Sequence, residues 1–143
     1  MAGVESTEIF DCSCEQFYAI ISDYEKYPQF LSEVKKCKVM KEQSGEKLVE
    51  FGVSVIKSFS YNLWMSEKPH EQIDWKFASG DVFKSLTGSW RLKSEGGKTK
   101  ATYAVEAKFN IFVPGPVAKA LVGVNLPGMF AAYHRRVKEL YGR

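Results

Sequence analysis

The sequence predicts an α+β fold in which a curved antiparallel sheet of about seven strands wraps around one long C-terminal helix. Three observations carry this expectation. Between Val34 and Asn110 most segments alternate apolar and polar residues with period two, and short turn sequences separate them. After Pro114 the apolar spacing becomes helical. A sheet with one wet face must be covered on the other, and the terminal helix is the only element large enough to cover it.

The elements follow in order. Val4 to Phe10 reads as a short, half-polar strand, broken by Asp11-Cys12-Ser13. Ser13 with Gln16 forms a capping box, so a helix begins near Cys14 and carries Phe17, Ile20, Ile21 and Tyr24 at helical spacing. Tyr27-Pro28-Gln29-Phe30-Leu31 predicts a second short helix or turn with Pro28 near its first position. Val34–Glu42 is a strand ended by Ser44-Gly45. Lys47–Lys57 then puts Val49, Phe51, Val53 and Val55 on one face. Phe59–Glu67 stops at Pro69-His70, and Gln72–Ala78 aligns Ile73, Trp75 and Phe77. Beyond Gly80-Asp81, Leu86, Gly88, Trp90 and Leu92 alternate with polar residues. Gly96-Gly97 is a hairpin turn, and Ala101, Tyr103, Val105, Ala107 and Phe109 alternate in the last strand. Val117, Leu121, Val124, Leu126, Met129, Phe130, Tyr133, Val137 and Leu140 form the helical stripe, which Pro127 should kink or restart around Asn125.

Length and composition limit the possibilities. The 143 residues make about one domain, read as a single unit over 1–143. A chain of this size buries about 68–70% of its unfolded surface and needs no metal or disulfide staple. Twenty basic and seventeen acidic side chains leave a net charge of +3, too balanced to announce a nucleic-acid binder, and no DNA partner is expected. Cys12, Cys14 and Cys37 leave an odd thiol under any pairing, and two histidines make a zinc site improbable. The first residues lack a basic n-region and an apolar h-region, so a reducing cytoplasm is the expected compartment. Ile111 to Tyr133 is the most hydrophobic stretch, but Lys119, Asn125 and three prolines argue against a membrane span. The unusual figure is 14% aromatic residues, more than a small core requires.

Two segments carry a resemblance. Asp23-Tyr24-Glu25-Lys26-Tyr27-Pro28-Gln29-Phe30-Leu31 is similar to a D-x-x-x-Y-P-x-F-L/V pattern, and Phe83 to Leu92 (FKSLTGSWRL) is similar to F-x-x-L-x-G-x-W-x-F. With the strand Thr99–Phe109 and the kinked helix after Pro114, the whole chain resembles the START-like, helix-grip superfamily, also called the polyketide cyclase/dehydrase and lipid transport (SRPBCC) superfamily. Within it the pattern looks closest to the coenzyme Q-binding and ribosome-association-toxin branch. The resemblance implies a helix-grip fold and an internal apolar cavity, and the motif residues themselves read as structural.

Candidate site residues follow from the faces. Phe51, Val53, Val55, Trp75, Phe77, Leu86, Trp90, Tyr103, Val105 and Phe109 from the sheet, with Leu121, Met129, Phe130 and Tyr133 from the helix, are expected to line a ligand cavity. Any one of them reads equally well as core. Together they favour a cavity, because one helix does not easily fill a concave sheet and ligand sites are apolar clefts of about 300–1,000 Å³. Gly88 and Ala107 on the same faces are expected to leave room. Tyr61, Tyr103 and Tyr133 offer hydroxyls to a carbonyl or quinone oxygen.

Catalysis is disfavoured, since no Asp, Glu, Lys or His falls on the expected inward faces and His134 reads as a flank residue at the cavity edge. The cysteines read as small apolar filler. No catalytic triad, phosphate loop or metal spacing is present, and no catalytic residue, metal or cofactor is expected. Lys35, Lys36, Lys38, Lys41 and Lys47 form the densest basic run, expected on both faces of a solvated edge strand. Anionic lipid headgroups or ribosomal RNA are its alternative partners. The expected function is to bind and carry a hydrophobic small molecule (a quinone, polyisoprenoid or lipid), with transient contact to a membrane surface. The rivals are a polyketide cyclase or aromatase-type enzyme and a ribosome-associated translation inhibitor.

Overall fold

A computed structural model describes residues 2–54, 57–121 and 126–142. Its strands are β1 (Ala2–Phe10), β2 (Val34–Gln43), β3 (Glu46–Ser54), β4 (Ser58–Lys68), β5 (Gln72–Gly80), β6 (Phe83–Glu95) and β7 (Lys98–Phe109). All seven form one sheet in the order β1-β7-β6-β5-β4-β3-β2, with every neighbouring pair antiparallel. Helix α1 (Cys14–Ile21), a 3-10 helix (Tyr24–Gln29), α2 (Gly115–Lys119) and α3 (Leu126–Tyr141) complete the described elements. The meander with β1 returned beside β7, and Phe130, Tyr133 and Val137 of α3 buried in the common core, is the helix-grip arrangement expected from the sequence.

Turn chemistry sets the register. Ser44-Gly45 and Gly96-Gly97 all have positive φ, from 52° to 82°, which is the backbone of a two-residue type I′ hairpin. They close Gln43 onto Glu46 and Glu95 onto Lys98. On the wet face Arg91 donates to Gln72 at 2.8 Å and pairs with Asp74 at 3.1 Å, tying β5 to β6 outside the core.

The capping box forms as expected. The Ser13 hydroxyl accepts from the Gln16 N–H at 3.1 Å, and the Gln16 side chain accepts from the Ser13 N–H at 3.1 Å. This start angle drives Phe17 into the core, where its ring stacks on Phe10 with centroids 4.4 Å apart. Trp90 meets Phe17 edge-on at 5.4 Å, and Tyr133 from α3 joins at 5.8 Å from Phe17. Such pairs contribute about 0.5–1.5 kcal/mol each beyond the area they bury. One aromatic cluster therefore fastens β1, α1, β6 and α3 together.

Two expectations are corrected. The second short helix spans Tyr24–Gln29, so Pro28 lies inside it, near the end rather than the start. A short 3-10 turn has few N–H groups to satisfy, so the missing donor costs little. Tyr24 anchors this turn to β4 by donating to the Glu67 carboxylate at 2.7 Å. The described parts of the C-terminal helical region are α2 and α3, with Pro127 at the start of the described part of α3. Asn125, around which the kink or restart was expected, lies outside the described residues. The lysines of β2 do not alternate between faces. Register shifts between Val34 and Lys36 and between Val39 and Lys41 leave Lys35, Lys36, Lys38 and Lys41 all exposed while Cys37 is buried.

Candidate functional site

Between the sheet and α3 lie two adjoining cavities. The inner chamber, about 160 Å³, is bounded by Phe51, Leu63, Met65, Trp75, Leu86, Trp90 and Val105 from the sheet and by Tyr133 from α3. The outer chamber, about 520 Å³, is bounded by residues 30–34, Val53, Ala120, Leu121, Leu126–Met129, Ala131, Ala132 and Arg135. Leu31, Val34, Tyr61, Tyr103, Leu121 and Met129 border both, so these residues form the neck. Period-two alternation on β3, β5, β6 and β7 aims the sheet residues inward, and the stripe on α3 supplies the roof.

Ten expected residues border the chambers: Phe51, Val53, Trp75, Leu86, Trp90, Tyr103, Val105, Leu121, Met129 and Tyr133. Three others do not. Phe77 and Phe109 pack on opposite sides of Phe83, at 6.1 and 5.1 Å, at the far end of their strands. Phe130 points to Phe10 and Trp90, both at 6.2 Å, and belongs to the aromatic core. Val55 lies outside the described residues. Gly88 opens no space for a ligand, because the indole of Trp75 occupies the place of its side chain, and Ala107 is only 1% exposed within the core. His134 sits away from both chambers, against Phe10 and 3.2 Å from Glu8 on β1.

The sequence reading missed several lining residues: Tyr27, Phe30, Leu31 and Val34 near the 3-10 helix, and Leu63, Met65 and Phe83 from the sheet. The β4 signal was available. Phe59, Tyr61, Leu63 and Met65 alternate with Ser60, Asn62 and Ser66, and only Trp64, with Lys41 over its ring at 5.7 Å, interrupts the polar face.

Electrostatically the inner chamber carries no carboxylate, amine or imidazole among its described lining residues. Its polar side-chain groups are the phenols of Tyr27, Tyr61, Tyr103 and Tyr133 and the indole N–H groups of Trp75 and Trp90. Tyr27 donates to the Ile21 carbonyl. The hydroxyls of Tyr61 and Tyr103 have no protein partner among the described residues, and both side chains line both chambers. Burial pushes the Tyr103 phenol up to about 12. It raises Tyr61 and Tyr133 well above the ordinary phenol range too, with Tyr103 as a second cause in both. These phenols stay neutral at physiological pH and can donate a hydrogen bond to a carbonyl, ether or hydroxyl oxygen. The outer chamber adds one acid, Glu33, and one base, Arg135.

A family model described as polyketide cyclase / dehydrase and lipid transport matches residues 11–132. The chain belongs to this family. Solved structures with the same fold include a START superfamily protein from Mycobacterium smegmatis, 24% identical with TM-score 0.83 over 96% of this chain and 98% of that one. The Zhui aromatase/cyclase from Streptomyces sp. R1128 is 16% identical with TM-score 0.83 over 99% of both chains. A STAR-related lipid transfer protein from Xanthomonas axonopodis is 14% identical with TM-score 0.74 over 95% of this chain and 85% of that one. At these identities the likeness establishes the fold. Membership in the polyketide cyclase/dehydrase and lipid transport family places hydrophobic ligand binding or polyketide cyclisation as the general roles of such a cavity. Among the described residues no helix is long and apolar enough to cross a membrane.

Proposed function

We propose that this member of the family binds and carries a hydrophobic small molecule with an oxygen-bearing head group, such as a quinone, a polyisoprenoid or a lipid. The observation that carries the proposal is the pairing of an apolar inner chamber with two phenol side chains, Tyr61 and Tyr103, that line both chambers and have no hydrogen-bond partner among the described residues. Each ligand methylene transferred from water contributes about 0.8 kcal/mol, and the phenols supply orientation rather than bulk affinity. The site residues are the ten named above, with Tyr61 added. The three free cysteines suit a reducing cytoplasm.

Carriage ranks above catalysis because phenols raised this far are poor acids near neutral pH, and the described lining of the inner chamber holds no carboxylate, amine or imidazole. The lysine run ranks below the cavity because Lys36 on β2 is paired with Glu50 at 2.7 Å and Lys47, which lies on β3, with Glu67 at 3.2 Å. The test is native mass spectrometry with a short-chain benzoquinone, a polyprenol and a phospholipid, followed by competition against an environment-sensitive fluorophore. A one-to-one complex that displaces the fluorophore supports the reading. No complex with any of the three, or turnover of a poly-β-ketone, overturns it.

A further inference from the structure

A second feature stands outside the cavity and does not depend on what the cavity holds. Ile111 and Phe112, between β7 and α2, are 97% and 58% exposed and are the two most exposed large apolar residues described. They are adjacent, whereas Ile9, Met40 and Leu140 are scattered elsewhere along the chain. They occupy the centre of a turn closed by the Val113 N–H donating to the Asn110 carbonyl at 3.1 Å. Turn centres normally hold Gly, Pro, Asn, Asp or Ser, so an Ile-Phe pair there has no local structural reason.

The turn is held firmly. The Asn110 N–H donates to the Val82 carbonyl at 3.0 Å, and its side-chain amide donates to the Asp81 carbonyl. Val113 packs against the core and Val117 is buried behind it. The two side chains therefore stand out on a fixed base.

Sheet topology gives the position. The starts of β2, β4 and β6 and the ends of β3, β5 and β7 share one end of the sheet. The outer chamber opens beside that end, where Val34 pairs with Val53. The same end carries exposed cations. Lys108 pairs in register with Ser85, next to Lys84, while Lys57 ends the β3–β4 connection and Lys119 ends α2. Asp81, Glu33 and Glu106, two residues before Lys108 on β7, are the nearest carboxylates, and the lysines outnumber them.

We infer that the Ile111–Phe112 turn is a wedge that inserts into an anionic lipid surface, with Lys57, Lys84, Lys108 and Lys119 facing the headgroups. A stable protein interface takes about 800 Å² from each partner, far more than two side chains present. A bilayer accepts a small apolar wedge without shape complementarity, and anionic headgroups attract lysines within a Debye length of about 8 Å. Docking in this pose brings the mouth of the outer chamber to the lipid surface.

The experiment is co-sedimentation of the full chain with vesicles of phosphatidylcholine alone and of phosphatidylcholine with phosphatidylserine at about three to one, at low and high salt. The double substitution Ile111→Ser, Phe112→Ser should weaken partitioning at least about tenfold on both vesicle types, with an unchanged melting temperature. Lys84→Glu with Lys108→Glu should weaken only the phosphatidylserine binding, and mainly at low salt. Phe112→Trp gives a second readout, with added blue-shifted fluorescence that lipid spin labels quench. The inference is overturned if the unmodified chain does not sediment with phosphatidylserine vesicles, if the serine variant partitions as well as it does, or if spin labels leave the new fluorescence unquenched. Self-association of the unmodified chain that the serine variant abolishes, without vesicle binding, would assign the patch to a second copy and also overturn it.

Discussion

The indole of Trp75 lies directly over Gly88 of the neighbouring strand, so close that a Cβ built on Gly88 would sit 2.2 Å from the Trp75 Nε1 atom. Trp75 in turn tilts against Tyr103, with ring centroids 5.7 Å apart, and both border the inner chamber. The missing side chain on β6 is thus the seat that holds a chamber wall in place.

Gly88→Ala should therefore displace the indole toward the chamber, not merely fill a gap. The expected cost is about 1–3 kcal/mol, the range for overpacking a filled site. Urea melts measure it, and loss of fluorophore binding should accompany it. A neutral Gly88→Ala variant would show that Trp75 is not fixed there.

Trp90→Ala should destabilise by about 3–5 kcal/mol. Trp90 borders the inner chamber, yet it is only 3% exposed and packs within 6.5 Å of Phe10, Phe17, Tyr103, Phe130 and Tyr133. Five aromatic contacts outweigh one open side. Denaturant midpoints decide the point: a loss under about 2 kcal/mol would mark Trp90 as a loosely held cavity wall.

Tyr103→Phe separates ligand recognition from packing. The hydroxyl has no protein partner among the described residues, so its removal should change stability by less than about 1 kcal/mol. Affinity for a benzoquinone should fall by about two- to tenfold, while affinity for a plain hydrocarbon of the same size should hold. Titration calorimetry with the two probes reads both numbers. Equal losses for both would remove the phenol from the recognition scheme.

Most of the sheet was legible because alternation and turn residues are local signals. Val49, Phe51 and Val53 on β3 and Leu86 and Trp90 on β6 are buried on the face that their spacing indicated. Depth along a strand is not a local signal. Phe77 and Phe109 share the inward face with Trp75 and Tyr103 but sit where Phe83 fills the space between them. Phe130 and Tyr133 lie on one stripe of α3, yet one meets the Phe10 cluster and the other also reaches the chamber. The outward lysines of β2 depend on register shifts that alternation alone cannot encode.

Alkaline pH should destabilise the fold in a defined window. Burial raises the Cys12 thiol to about 11 and the Cys37 thiol to about 12, from an ordinary 9.0, and the Tyr103 phenol to about 12 from 10.0. In each case the neutral, protonated form is the one the fold prefers. Between the ordinary and the raised value the folded chain holds more protons than the unfolded one, so stability falls as pH rises. The contribution is complete below about pH 9 and is lost progressively toward pH 12. Calorimetric melting temperatures across that range should decline, and tyrosinate absorbance should lag behind that of free tyrosine. A flat melting temperature with ordinary phenol titration would contradict the burial of these groups.

The pairing of β1 with β7 sets Ala2 against Ala107 and Phe10 against Thr99. Strands β2 to β6 can zip as successive hairpins, but β1 has no partner until almost the whole chain exists. Closing so long a loop before the reward arrives is what makes sheets with distant pairings fold over milliseconds to seconds. Until Trp90 and Tyr133 have been made, the rings of Phe10 and Phe17 lack the partners that cover them in the finished fold. That interval, rather than the finished fold, is when this apolar surface and the unpaired β1 edge are exposed to aggregation.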